Sequence, residues 1–151
     1  MLKQRIITAL ILAPLALFAI LYLPLFSFEI MFALVMGLGA WEWSSMSGMT
    51  RTITKSAYAV LVVAVCLILS FMLPTDLIWY QGQLNSLYTY ILSIAAIWWV
   101  VSSAMIIAYP RYSSLWYTSK ILRGIFGFLT LIPTWVAVVS LRTSLYDVDP
   151  Y

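Results

Sequence analysis

Lys120 and Arg123 lie three residues apart at the head of an apolar block. On a helix they share a face, and two cations on one face can hold a phosphate at a membrane surface. Their ordinary role is to anchor a helix end beside anionic lipid, worth about 1 kcal/mol per basic residue. Glu42, between Trp41 and Trp43, also carries two readings. It is either a headgroup or partner contact, or an interfacial carboxylate in an aromatic belt within reach of Arg51 or Lys55. Beyond these three residues the sequence holds little chemistry. It has no histidine, no cysteine pair, no Gly-rich nucleotide loop ending in Lys-Ser/Thr and no cluster of carboxylates, so no catalytic or metal-ligating residue is assigned. The single cysteine, Cys66, lies inside an apolar block and reads as a small packing residue.

The elements that must position these residues follow from composition. Of 151 residues 64% are hydrophobic and 9% charged, with a mean hydropathy of +1.02, whereas a soluble domain carries roughly 25% charged residues. No soluble core of this size hides so much apolar surface, and the charges are gathered between long apolar runs. A bilayer core about 30 Å thick needs about 20 residues per helix, so five spans fit. They are expected at about 6–23, 26–43, 57–73, 87–108 and 121–141, all helical, because these runs lack the alternation of barrel strands and a lipid-exposed chain must satisfy its own backbone. The fold class is all-α, a polytopic membrane protein. Pro24 makes the first join a tight hairpin, Pro74 stops the third block, and Tyr109-Pro110 ends the fourth. The first block is longer than a signal core and has no convincing small-residue cleavage site, so it reads as an uncleaved helix.

Basic residues flanking helices stay on the cytoplasmic side. Lys3, Arg5, Arg51, Lys55, Arg111, Lys120 and Arg123 all fall on one side of this arrangement, whereas the joins at Pro24–Leu25 and Pro74–Ser86 contain no Lys or Arg. The N-terminus is thereby placed in the cytoplasm, with Arg142 the exception. The net charge of +3 is a consequence of topology and gives no support for nucleic-acid binding. Glu29 begins the second helix, where a negative charge favours the helix N-terminus, and needs no functional role. Gly37, Gly39 and Ala40 on the second helix, and Gly124 and Gly127 on the fifth, are thin surfaces suited to close helix approach. Pro14 and Pro133 are proline kinks that a membrane helix tolerates. Trp41, Trp43, Trp79, Tyr80, Tyr109, Tyr112, Trp116 and Tyr117 fall near helix ends as interfacial aromatics. Trp98 and Trp99 are deeper and point in different directions, so at least one faces another helix.

The order of these segments resembles a known family. The opening Met1-Leu-Lys-Gln-Arg-Ile-Ile-Thr-Ala-Leu-Ile-Leu-Ala-Pro14, the stretch Ala40-Trp-Glu-Trp-Ser44 with Ser47-Gly48 after it, the Tyr109-Pro110 break, and Ser119-Lys-Ile-Leu-Arg123 leading into Gly127 and Pro133 are similar to the N-terminal half of bacterial phosphatidate cytidylyltransferase, the CDP-diacylglycerol synthase. The resemblance implies a multi-pass enzyme of the bacterial inner membrane. It would condense CTP with phosphatidic acid, releasing pyrophosphate, with magnesium as the metal of the full-length family. That family's signature, His-Gly-Gly followed by Asp-Arg-x-Asp, has no counterpart in this sequence, so none of its catalytic or metal-binding acids can be carried over. The expectation is a truncated or split product that does not transfer a cytidylyl group alone. Its implied partners are membrane lipids, phosphatidic acid among them, and either a second copy in a homodimer or the missing C-terminal half. The alternatives from other classes are a non-catalytic membrane scaffold or accessory subunit, and a small transporter. A transporter would place an ionisable residue near the midplane, and none is evident in the sequence.

Overall fold

The computed structural model describes residues 2–109 and 119–148. Arg111, Tyr112, Trp116 and Tyr117 lie outside the described residues, as does the chain after Val148. Five long helices dominate the described residues: α1 (Leu2–Tyr22), α2 (Leu25–Met46), α3 (Thr52–Met72), α4 (Ser86–Ile107) and α5 (Lys120–Val148). Among the described residues, α2, α3, α4 and α5 are each long and apolar enough to cross a membrane. The described apolar stretch of α1, Ala13–Tyr22, is shorter. Pro14 and Pro133 sit inside their helices.

The helices α1 and α3 begin earlier than the expected spans, at Leu2 and Thr52, and two further elements depart from the expected outline. The polar stretch after Pro74 is not a plain loop: a 3₁₀ turn (Thr75–Leu77) leads into a small antiparallel hairpin of β1 (Trp79–Tyr80) and β2 (Gln83–Leu84). Its turn places Gln81 and Gly82 at φ 51° and 74°, the left-handed region that glycine enters without steric cost. The fifth helix does not stop at Leu141 with its apolar run. It continues because Arg142 and Thr143 are buried, with Thr143 Oγ1 donating to Val139 O at 2.8 Å and Arg142 Nη2 donating to Leu23 O at 3.2 Å. Arg142, the one basic residue that breaks the charge asymmetry, therefore caps the end of α1 from inside the bundle.

Packing centres on α2, which lies between α3 and α5, while α5 also touches α3 and α4. The core runs through Ala33, Met36, Ala40, Tyr58, Val62, Cys66, Tyr88, Trp135, Val136 and Val139. Outside it the polarity is that of a lipid-facing surface. Leu38, Val60, Val100, Ile106, Ile107 and Ile121 are exposed, while Ser44, Ser70, Ser140 and Glu29 are buried. Trp98 is the indole that faces a neighbour: its ring lies 4.6 Å from that of Phe126 and its Nε1 donates to Thr130 Oγ1 at 3.2 Å. Trp99 is exposed.

The thin surfaces on α2 are used on two sides. Gly37 faces α3, where an added Cβ would stand 2.6 Å from Val63 Cγ2, and Gly39 faces Leu131 of α5. Gly37→Ala is therefore expected to destabilise the fold by about 1–3 kcal/mol through overpacking. Thermal unfolding in detergent micelles measures this, and Val63→Ala in the same chain should recover part of the loss.

Candidate functional site

At one end of the bundle α2 must turn into α3 within a few residues. Ser47 N–H donates to Trp43 O at 2.8 Å, Gly48 N–H to Ser45 O at 3.1 Å and Met49 N–H to Ser44 O at 3.0 Å, which satisfies the last carbonyls of α2. Gly48 has φ 83°, the left-handed geometry that commonly ends a helix and that a Cβ penalises. The chain then enters α3 with Arg51 at its N-cap, which makes no side-chain cap bond, so the first-turn amides of α3 remain available as donors.

The head of α5 meets this turn. Ser119 Oγ accepts from Leu122 N–H at 3.2 Å, starting the helix at Lys120. A Cβ built on Gly48 would lie 3.3 Å from Arg123 Nη2 and 3.7 Å from Lys120 Cε. The expected shared face of Lys120 and Arg123 is thus real, and it is turned onto Gly48. Between the two elements lies a cleft of about 320 Å³ lined by Gly48, Met49, Thr50, Arg51, Thr54, Lys120 and Ile121. Arg51 and Lys120 are exposed, and Arg123 is half-buried with its Nε donating to Ser119 O at 3.4 Å. Two cations from different elements, two threonine hydroxyls and a helix N-terminus make a cleft suited to a phosphate.

Glu42 is placed elsewhere. It is exposed and does not line the cleft, and Lys55 Nζ donates to Ser45 Oγ at 2.9 Å. Arg51 and Gly48 were not singled out as site residues in the sequence, although Ser47-Gly48 closely followed by Arg51 carries the signal of a helix stop leading into a basic turn. Among the described residues no three His, Cys, Asp or Glu side chains converge. The donor set around the cleft, being cationic and hydroxylic, does not suit magnesium, and no step of chemistry is assigned to a metal held by these residues.

The cleft depends on how α5 is held. Trp43 Nε1 donates to Arg123 O at 2.8 Å and Tyr58 OH donates to Gly124 O at 2.7 Å, so α2 and α3 each grip the first turn of α5 by a backbone carbonyl. Gly127 permits this approach: a Cβ there would stand 2.6 Å from Trp43 Cδ1 and would also collide with the Tyr58 hydroxyl. On the other side of Trp43 lies an apolar groove of about 310 Å³, bounded by Trp98, Ser102, Met105, Ile106, Tyr109 and Phe126. The basic cleft and the apolar groove thus flank a single anchored turn. Tyr58→Phe is expected to cost about 0.5–1.5 kcal/mol, the net worth of one hydrogen bond. Gly127→Ala should cost more, since it displaces both anchors at once, and the ranking can be read from chemical or thermal unfolding of the two variants in micelles.

Comparison with known proteins covers nearly all of this architecture. The profile of the cytidylyltransferase family matches residues 3–148. The phosphatidate cytidylyltransferase of Pseudomonas aeruginosa is 34% identical over 142 residues, 94% of this chain and 48% of its own length. That of Haemophilus influenzae is 28% identical over 152 residues, 100% of this chain and 52% of its own length. The chain spans about half the length of these curated relatives, and no solved structure matches it. With the match running from the head of α1 to the last turn of α5, through the Trp43 anchor, the basic turn and Gly127, this chain belongs to the cytidylyltransferase family.

Proposed function

We propose that this chain is the membrane-embedded part of a phosphatidate cytidylyltransferase and that its basic end receives the phosphate of phosphatidic acid. The observation that carries the reading is the match to two phosphatidate cytidylyltransferases over 94% and 100% of the chain. The cleft between Arg51 and Lys120 supports it. In the proposed reaction a phosphate oxygen of phosphatidic acid attacks the α-phosphorus of CTP, the bond between the α- and β-phosphates breaks, and pyrophosphate leaves. Attack by one anion on another is slow unless their charges are neutralised and their atoms aligned. The contribution proposed for this chain is one side of that requirement. Arg51, Lys120 and Arg123 hold the lipid phosphate at the membrane surface, while the neighbouring apolar groove keeps an acyl chain in the lipid phase. Glu42, exposed at the same end, is a contact to the headgroup region or to a protein partner.

The location proposed with this reading is the bacterial inner membrane, with the N-terminus and basic end facing the cytoplasm, where CTP is found. The distribution of Lys and Arg supports that orientation. Magnesium, which assists the reaction in the family, is assigned to residues outside this chain, and a second copy or the remainder of the enzyme is the expected protein partner.

Two measurements test the proposal. Cytidylyltransferase assay in membranes with CTP, phosphatidic acid and magnesium should show activity for a version continued through the His-Gly-Gly and Asp-Arg-x-Asp signatures and none for this chain alone; robust turnover by the chain alone would overturn the division of labour. Lys120→Gln with Arg123→Gln should weaken retention of phosphatidic acid by about fivefold per charge removed, given about 1 kcal/mol for each. Retention by the unmodified chain should also fall with added salt, and unchanged retention in the double variant would remove these residues from the site.

A further inference from the structure

A further groove runs along the seam between α2 and α3, apart from the basic cleft and independent of the cytidylyl reading. Its volume is about 460 Å³, and its walls are Leu34, Leu38 and Trp41 of α2 with Val60, Val63 and Leu67 of α3. Spacings of four and three put each set on one helix face. One turn further along the same stripes, α2 presents Ser45 and α3, running the other way, presents Ser56. Both walls therefore change from apolar to hydroxylic at the same end, the one that carries Arg51 and Lys55.

Lys55 closes that end. Its Nζ crosses from α3 to donate to Ser45 Oγ at 2.9 Å, and Ser45 Oγ in turn donates at 3.3 Å to the carbonyl of Trp41, a wall residue. An ammonium has three N–H donors, so two remain for another acceptor. Among the described residues no carboxylate lies within ion-pair distance of Lys55. The groove's length then narrows what fits. Leu34 to Ser45 is a rise of about 16 Å along the helix, close to half of a hydrocarbon core about 30 Å thick. Beyond the last lining residues, Leu34 and Leu67, Phe26 of α2 meets Phe71 of α3 with ring centroids 6.0 Å apart. A helix of a second copy would run on through both leaflets, whereas an acyl chain ends within one. Trp41 stands at the depth where indoles favour the headgroup level, and the Lys55 ammonium complements a lipid phosphate.

We propose that the α2–α3 seam binds one anionic phospholipid, with an acyl chain in the groove and its phosphate on Lys55 Nζ, at a site distinct from the cleft between Arg51 and Lys120. Any lipid can cover the apolar walls. The ammonium at the end of the groove is what selects an anionic one and holds it, and a ligand bound across both helices stabilises their pairing.

The test uses the purified chain in micelles with Lys120→Gln and Arg123→Gln as background, so that binding at the head of α5 does not contribute. Native mass spectrometry follows titration with phosphatidylglycerol, with phosphatidylcholine and with soluble glycerol phosphate. One phosphatidylglycerol per chain is expected to bind, and adding Lys55→Gln should weaken it by about fivefold. Ala64→Phe, or Val60→Phe as a second way of filling the groove, should weaken it at least as much, with thermal unfolding of the lipid-free chain showing that each variant folds. Phosphatidylglycerol should also raise the melting temperature of the chain with an open groove and not that of the filled variants. Phosphatidylcholine bound as tightly as phosphatidylglycerol would overturn the charged half of the site. Glycerol phosphate displacing the lipid at comparable concentration would overturn the acyl half. Unchanged affinity in Lys55→Gln or in the filled variants would sink the proposal, and a chain dimer lost on filling the groove, with no lipid adduct, would assign the seam to a second copy instead.

Discussion

The close approach of α5 to the α2–α3 pair is the constraint on which the rest of this structure depends. Gly127 leaves no room for even a methyl group against Trp43 and Tyr58. Because the helices come so near, those two side chains can reach the carbonyls of Arg123 and Gly124. Carbonyl oxygens inside a helix retain a second lone pair, so the helix need not open to accept these bonds. The consequence is positional. Once the first turn of α5 is pinned at its backbone, Lys120 and Arg123 are delivered against Gly48, and the cleft with Arg51 exists.

The same device recurs along the bundle. Trp135 donates to the carbonyl of Glu29, and Trp79 of the hairpin donates to that of Ser140 at 2.8 Å. An indole N–H facing a neighbouring helix has no water to satisfy it in lipid, and leaving it unpaired would cost about 1–3 kcal/mol. Backbone carbonyls are the acceptors that every helix offers without any change of sequence. Since apolar contact alone discriminates poorly between helix surfaces in a lipid solvent, these directional bonds, with the steric fit at the glycines, give the bundle its register. They also explain why aromatic residues read as interfacial belts from their position in sequence take part in tertiary packing.

The two ends of the bundle have opposite electrostatic character. The basic end collects Arg51, Lys55, Lys120 and Arg123 around a turn open to solvent, suited to transient anions. The other end encloses Glu29, bonded by Ser70 of α3 and Trp135 of α5, with Arg142 turned toward the α1–α2 join. Residues of one charge gathered at an open surface need no partner inside the protein, because water screens them. An enclosed polar group requires one, and Ser70, Trp135 and Ser140 find theirs inside the bundle.

Length, composition and the placement of thirteen charges among 151 residues (8 basic and 5 acidic) were enough to read an all-α multi-pass membrane protein, because helices in lipid need about 20 apolar residues and nothing else satisfies their backbone. The segment order was enough to indicate the family, and the spacing of Lys120 and Arg123 was enough to put them on one face, since helical periodicity is local. Contacts between distant segments were not legible in the same way. That Gly48 and Arg51 complete a cleft with Lys120, that Trp98 rather than Trp99 faces α5, and that Glu42 stands apart all depend on how the helices are rotated about their axes. Apolar runs hydrophobic on every side leave that rotation undetermined. Glu29 shows the limit most clearly. In sequence it is an acid near a helix start, a favourable place for a charge. In the folded chain it is buried against α3 and α5, because burial is decided by which helices pack over a residue and not by its distance from a helix end.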